Sequence, residues 1–172
     1  MASITGEVNP PRPFGTSKVS VITPSLNHGR FLRDTTESIV NQSYKNVEHV
    51  IVDGGSTDNT LQILREYPHI KWISEKEEGD NPVLDAFWKA FYMSQGDYIV
   101  ILALSDGTLD RTWFEQCVKI LDRDPEVSHV WGLSQNMSED GQLGKLWRPE
   151  FLENHLPQNG WAGCSPPSDS PS

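Results

Sequence analysis

Two hydrophobic periods alternate along this chain. Short β-branched runs recur at Val19-Ser20-Val21-Ile22-Thr23, Val47 to Val52, Ile70-Lys71-Trp72-Ile73 and Tyr98 to Leu102, each of a length suited to a strand. Between them, apolar residues return at helical spacing. Phe31, Leu32, Thr35, Ile39 and Val40 predict a first helix from about Gly29 to Gln42, and a second runs from about Asp58 to Glu66. Pro82 opens a third, at a position where a missing N–H costs nothing. Val83, Leu84, Phe87, Trp88 and Phe91 mark one face of it, and Gly96 ends the segment. Trp113, Phe114, Cys117, Val118 and Leu121 repeat the spacing in a fourth, from about Arg111 to Asp124.

Local signals sharpen this outline. Pro24 is expected to stop the first strand. Tyr98 to Leu102 is almost wholly apolar, as a central strand buried on both faces should be. Trp88 reads as core packing. His129-Val130-Trp131 is expected as a fifth strand, and Gly141 predicts a hairpin turn between about Asn136 and Leu146. Strands that alternate with helices imply an α/β fold with a mostly parallel sheet and right-handed crossovers. At 172 residues the chain suits one such domain and is too short for two. Residues 1–17, with Pro10, Pro11 and Pro13, read as an irregular arm, and residues 18–156 as the domain. Residues 157–172, rich in Ser, Pro and Gly, read as a disordered tail.

The most telling run is Val50 to Thr60. An apolar strand stops at Asp53, Gly54 and Gly55 make a turn, and Ser56-Thr57-Asp58-Asn59-Thr60 opens a helix. Ligands of open α/β sheets bind beyond the carboxyl ends of the strands. Asp53 falls there, and its carboxylate is expected to point into the crevice. The same residue type can also simply shape a turn. Asp58 reads as a helix N-cap.

Charge and composition exclude some partners. Fourteen Lys and Arg face twenty-four Asp and Glu, a formal charge of −10, which argues against a nucleic-acid surface. No apolar run approaches the ~20 residues needed to span a bilayer. Met1 to Glu7 shows no signal-peptide pattern. Cys117 falls on an apolar helix face, so a reduced buried thiol is expected, and a cytoplasmic location with it. His28, His49, His69, His129 and His155 show no zinc-ligand spacing.

Several segments together resemble a known family, the inverting nucleotide-sugar glycosyltransferases of family 2, over about Ser17 to Leu152. Val19 to Asn27 is similar to its opening strand and nucleotide loop, and Glu37-Ser38-Ile39-Val40-Asn41-Gln42-Ser43-Tyr44 to its helix-one signature. Val52 to Thr60 is close to its most recognisable motif. Asp85-Ala86-Phe87-Trp88-Lys89-Ala90 resembles a segment that usually reads Asp-Ala-Met-Asn-Lys-Gly. Leu102-Ala103-Leu104-Ser105-Asp106 falls, without gaps, on one that typically reads Leu-Asn-Ser-Asp-Asp. The resemblance implies a GT-A (Rossmann-like) fold, a mostly parallel sheet sandwiched by helices. It implies transfer of a sugar from a nucleoside-diphosphate sugar, most readily a UDP-sugar, to a hydroxyl of a glycan or lipid-linked acceptor, with inversion.

Site roles follow from the same resemblance. Asp53 would accept a hydrogen bond from the base, with Pro24, Ser25 and Asn27 of the nucleotide loop alongside. Asp106 would hold Mg²⁺ or Mn²⁺ against the diphosphate, beside Ser105, which stands where the family has the first acid of a pair. Asp85 and Lys89 would lie near the phosphate or sugar. Read as residues alone, Lys89 could equally be a solvated helix lysine and Asp106 a cap of the following turn. Glu150 and Glu153 remain in the region that usually supplies the general base, with no geometric reason to assign either. Ala103, Ser105, Trp88 and Ala90 depart from the family pattern. The alternative reading is therefore a non-catalytic nucleotide-sugar-binding remnant. A nucleotidyltransferase of similar sheet order would need a Gly-rich basic loop near the N-terminus, which is absent. An incomplete sheet edge also suggests a homodimer.

Overall fold

The computed structural model describes residues 12–76, 81–138 and 141–147. The elements run β1 (Val19–Ser25), α1 (Gly29–Val40), β2 (Val47–Asp53), α2 (Thr60–Leu64), β3 (Lys71–Ser74), α3 (Pro82–Met93), β4 (Tyr98–Ile101), α4 (Trp113–Arg123), β5 (Ser134–Met137) and β6 (Leu143–Trp147). The chain divides into two units, residues 1–128 and 129–172. In the first, four strands form one parallel sheet in the order β3-β2-β1-β4.

Strand alternation sorts the side chains onto two covered faces. On one, Val19 and Val21 pack against Ile39 of α1 and Phe114 and Val118 of α4, while Ile51 meets Leu32 of α1 and Ile63 and Leu64 of α2. On the other, Ile22, Val50 and Val52 pack against Ala86 and Ala90 of α3. Each such aliphatic side chain contributes about 1.5–3 kcal/mol when fully buried, so the sheet needs both helical layers. The parallel sheet is the one the pattern predicts, and the sandwich is the one the resemblance implies.

Four expectations are corrected. β1 does not stop at Pro24 but runs to Ser25, paired with Asp53 of β2. The reason lies in which way Pro24 faces. It shares its parity with Ile22, whose carbonyl accepts from the Leu102 amide on the β4 side. β4 pairs with β1 only as far as Ile22↔Ile101, so no strand lies where a Pro24 N–H would be needed. Next, among the described residues β4 is not central. There it closes one end of the sheet order, and Ile101 is 63% exposed.

α3 is rotated from the expected orientation: of the expected face, Phe87 packs in part against the sheet, while Val83, Leu84, Trp88 and Phe91 are exposed. Its buried residues are Ala86 and Ala90, whose small side chains let the helix sit close to β1 and β2. Trp88 is 45% exposed and Tyr92 80%. Trp88 stacks among Phe87, Phe91 and Tyr92, with ring centroids 5.3, 5.7 and 6.2 Å away, so its core-packing reading is also overturned. Finally, residues 129–131 form no strand. The apolar run is too short, and Trp131 is exposed, its ring 5.0 Å from that of His129.

In the second unit, β5 and β6 form an antiparallel hairpin with an irregularity between Gln135 and Met137. Gly141, at φ 83°, supplies the left-handed turn position and donates to the Ser138 carbonyl at 2.9 Å. That hairpin is the one Gly141 predicts. Glu150, Glu153, Cys164 and residues 157–172 lie outside the described residues.

Candidate nucleotide-sugar site

Asp53 ends β2 at the carboxyl edge of the sheet, and its side chain is wholly buried, 0% exposed. Its Oδ2 accepts from the Gly55 amide at 3.1 Å, the Ser56 amide at 2.9 Å and the Ser74 hydroxyl at 2.7 Å. Its Oδ1 accepts from the Ser25 hydroxyl at 3.2 Å and from the Ser56 hydroxyl. Five donors from the ends of β1, β2 and β3 saturate the carboxylate. The expectation that it points into an open crevice is thereby corrected. Its surroundings explain this: Ser25 and Ser74 flank it from the neighbouring strands, and the Gly54-Gly55-Ser56 turn closes over its end.

What Asp53 does is fold the rim. Gly55, at φ 85°, lets the chain double back so that two successive amides reach one oxygen. The β1 loop is laced to this turn. Gly54 donates to the Ser25 carbonyl at 2.8 Å, the Asn27 amide to the Ser56 hydroxyl at 2.7 Å, and the Thr57 amide to Asn27 Oδ1 at 2.8 Å. Asn27 itself sits at φ 53°, a left-handed position that Asn tolerates. Pro24 is half-buried and Leu26 and Asn27 are exposed, so backbone and Asn27 form the accessible lip.

Asp58 joins the start of α1 to that of α2. It accepts from the Gly29 amide at 3.1 Å and the Thr60 amide at 3.0 Å. The Thr60 hydroxyl and these amides hold its carboxyl below the ordinary value. Asp58 sits one residue before Asn59, the N-cap of α2, so its N-cap reading is corrected: it ties the starts of two helices together from outside both.

Ser105 and Asp106 lie in the loop after β4, both exposed. The loop is anchored by Leu104, 2% exposed among Leu32, Ile51 and Ile63. The Asp106 amide donates to the Ala103 carbonyl at 2.9 Å. Among the described residues no hydrogen bond or ion pair engages its carboxylate. Asp85, in the first turn of α3, is half-buried. Lys89 pairs with Glu75, just past β3, at 2.5 Å.

The fold thus gathers the ends of β1, β2 and β3, with Pro24, Ser25, Asn27 and Asp53, into one bonded rim, and attaches Ser105 and Asp106 beyond β4. The reading missed the residues that hold the Asp106 loop: Thr35, Ser38, Gln42 and Thr108. Thr35 sits in the apolar repeat of the first helix as its polar member, and that is the signal that could have found it.

A parallel sheet covered on both faces, with an ordered loop rim at its carboxyl edge, defines a nucleotide-type α/β domain. Residues 20–168 match the family described as Glycosyl transferase family 2, and the chain belongs to that family. It is 30% identical over 132 residues to the chondroitin synthase of Escherichia coli, covering 73% of this chain and 18% of that protein. It is 29% identical over 148 residues to the hyaluronan synthase of Pasteurella multocida, covering 80% of this chain and 14% of that one. Its fold is the GT-A arrangement. The mannosyltransferase PcManGT of Pyrobaculum calidifontis, solved in complex with GDP-Man and Mn²⁺, aligns with a TM-score of 0.53 at 26% identity, over 64% of this chain and 34% of that one. The chain therefore spans less than a fifth of the two synthases and about a third of the mannosyltransferase.

Proposed function

We propose that this chain carries the donor half of a glycosyltransferase that moves a sugar from a nucleoside-diphosphate sugar to a hydroxyl acceptor, with inversion. The observation that carries the reading is the bonded rim around Asp53, built from the segments that match the family. A UDP-sugar is the donor we favour, and a glycan or lipid-linked glycan the acceptor. The backbone of Pro24 and Ser25, with Asn27, would line the nucleoside, while Asp53 keeps that lip in shape from beneath. Asp85 and Lys89, at the mouth between β3 and α3, would face the sugar or phosphates.

Asp106 suits a hard divalent cation. It offers an exposed carboxylate with no competing partner among the described residues, beside the Ser105 hydroxyl. One carboxylate leaves most of the coordination shell to water and phosphate oxygens, which Mg²⁺ accepts readily. The cation would supply positive charge to the leaving diphosphate. That a mannosyltransferase of related fold was solved with GDP-Man and Mn²⁺ supports this assignment. The reduced-thiol composition favours a cytoplasmic setting, and no helix among the described residues is long and apolar enough to cross a membrane. Self-association along β4, the strand that ends the sheet, completes the proposal.

Calorimetric titration of UDP with and without Mn²⁺, followed by assay of UDP release from a panel of UDP-sugars, tests it. Mn²⁺-enhanced binding with release of UDP is expected. A chain that binds no nucleotide under either condition overturns the reading.

A further inference from the structure

We infer that Thr35 of α1 and Gln42, just past its end, are positioning residues for a cation held at Asp106, an inference that rests on the proposed cation role of that carboxylate. Thr35 is buried, and its hydroxyl lies 3.0 Å from the Leu104 carbonyl and 2.7 Å from the Asp106 carbonyl. One hydroxyl thus pins the backbone of the acidic residue and that of the apolar anchor two positions before it. Gln42, the residue after the C-cap Asn41 of α1, is 1% exposed. It donates to the Thr108 hydroxyl at 2.8 Å and the Asp110 carbonyl at 2.9 Å, and accepts from the Phe114 amide at 3.0 Å. Between them Ser38 closes the array. Its hydroxyl accepts from the Thr108 amide at 3.2 Å, and its carbonyl accepts from the Thr108 hydroxyl at 3.0 Å.

Thr35 and Ser38, three residues apart, lie on one side of α1, and Gln42 just past its end extends their stripe by sharing Thr108 with Ser38. That stripe grips the loop on both sides of Asp106 and leaves the carboxylate outside, free to reach a ligand. The grip matters more here than in a site with paired acids. Ser105 offers only a neutral hydroxyl, so the placement of a single carboxylate sets how well a cation is held. Backbone groups that orient a ligating residue act as an outer shell, whose loss costs 10–100-fold in metal affinity.

The test titrates Mn²⁺ into the full chain at saturating UDP and reads binding by calorimetry. Thr35→Val keeps the shape and removes the hydroxyl. Its Mn²⁺ affinity is expected to fall about tenfold, with metal-free UDP affinity unchanged. Thr35→Ser, which restores the donor, is expected to stay within about twofold of wild type. Should Thr35→Val not fold, Thr108→Val, which removes the hydroxyl bonds to Gln42 and to the Ser38 carbonyl, is read in the same way. Mn²⁺ binding that needs Asp106 but is unmoved by either valine variant overturns this inference alone. Mn²⁺ binding that survives Asp106→Ala, or a wild-type chain that takes up no Mn²⁺, overturns the cation reading and this inference with it.

Discussion

The Ser56 amide donates to the Asp53 carboxylate at 2.9 Å, so the turn after β2 folds onto the residue that precedes it. Asp53→Asn replaces one acceptor oxygen with an amide donor aimed at groups that also donate. Hydrogen bonds to charged groups contribute about 1.5–3 kcal/mol each, and at least one is lost outright. A stability loss of at least about 2 kcal/mol is expected, read as a lower urea midpoint at unchanged slope. UDP affinity should fall in step. An outward-facing ligand carboxylate would instead lose UDP affinity with the urea midpoint unmoved.

Asp106→Ala should behave in the opposite manner. The side chain is exposed and its backbone is held by Thr35, so stability should change by no more than about 0.5 kcal/mol. The enhancement of UDP binding by Mn²⁺ should disappear, while metal-free binding persists. Calorimetry on both proteins, with and without Mn²⁺, decides this.

His49 makes stability depend on pH. Burial, with a smaller push from His69, lowers its pKa to about 3. Its Nε2 lies 3.1 Å from the Thr23 hydroxyl, and its Nδ1 has no partner. Below pH 6.5 the unfolded chain takes up a proton that the folded chain refuses, so the folded state loses ground as pH falls. The loss approaches about 1.4 kcal/mol per pH unit until the folded group titrates. Denaturation midpoints measured from pH 6.5 to 5, before the carboxylates titrate, should slope down in the wild type. In His49→Gln the slope should be markedly flatter.

Trp88→Ala tests the orientation of α3. A tryptophan removed from a core costs about 3–5 kcal/mol. An exposed ring that touches Phe87, Phe91 and Tyr92 should cost only about 1 kcal/mol. Ala86→Leu, beneath the same helix, should be the more damaging change, because it wedges α3 off Ile22 and Val50.

Much of the first unit is readable from pattern. β1 and β2 announce themselves by β-branched runs, and α1 and α4 by apolar repeats whose buried members, Leu32 and Ile39 or Phe114 and Val118, do face the sheet. The facing of α3 escapes the pattern because its fully buried residues are alanines, which carry little hydrophobic signal, while Trp88, Phe91 and Tyr92 lie outside and Phe87 reaches the sheet only in part. At the site, the motif marked the right turn but not the direction of its acid. Alternation does not give that direction, because Val50 and Val52 on the other face of β2 are buried as well as His49 and Ile51. The donors Ser25 and Ser74 come from neighbouring strands, and only the sheet register brings them near. Thr35 and Gln42 were hidden for the same reason: their partners lie some seventy residues away in the chain.

Pro24 carries a lasting consequence for how this sheet can change. Extending β4 past Ile101 would forgo the ladder bond that an N–H at Pro24 would donate and keep only the one its carbonyl can accept. Insertions or drift in the 102–112 segment are therefore less readily zipped onto β1. A missing proton weakens growth of the sheet across this fork, which leaves chemistry at its mouth freer to diversify.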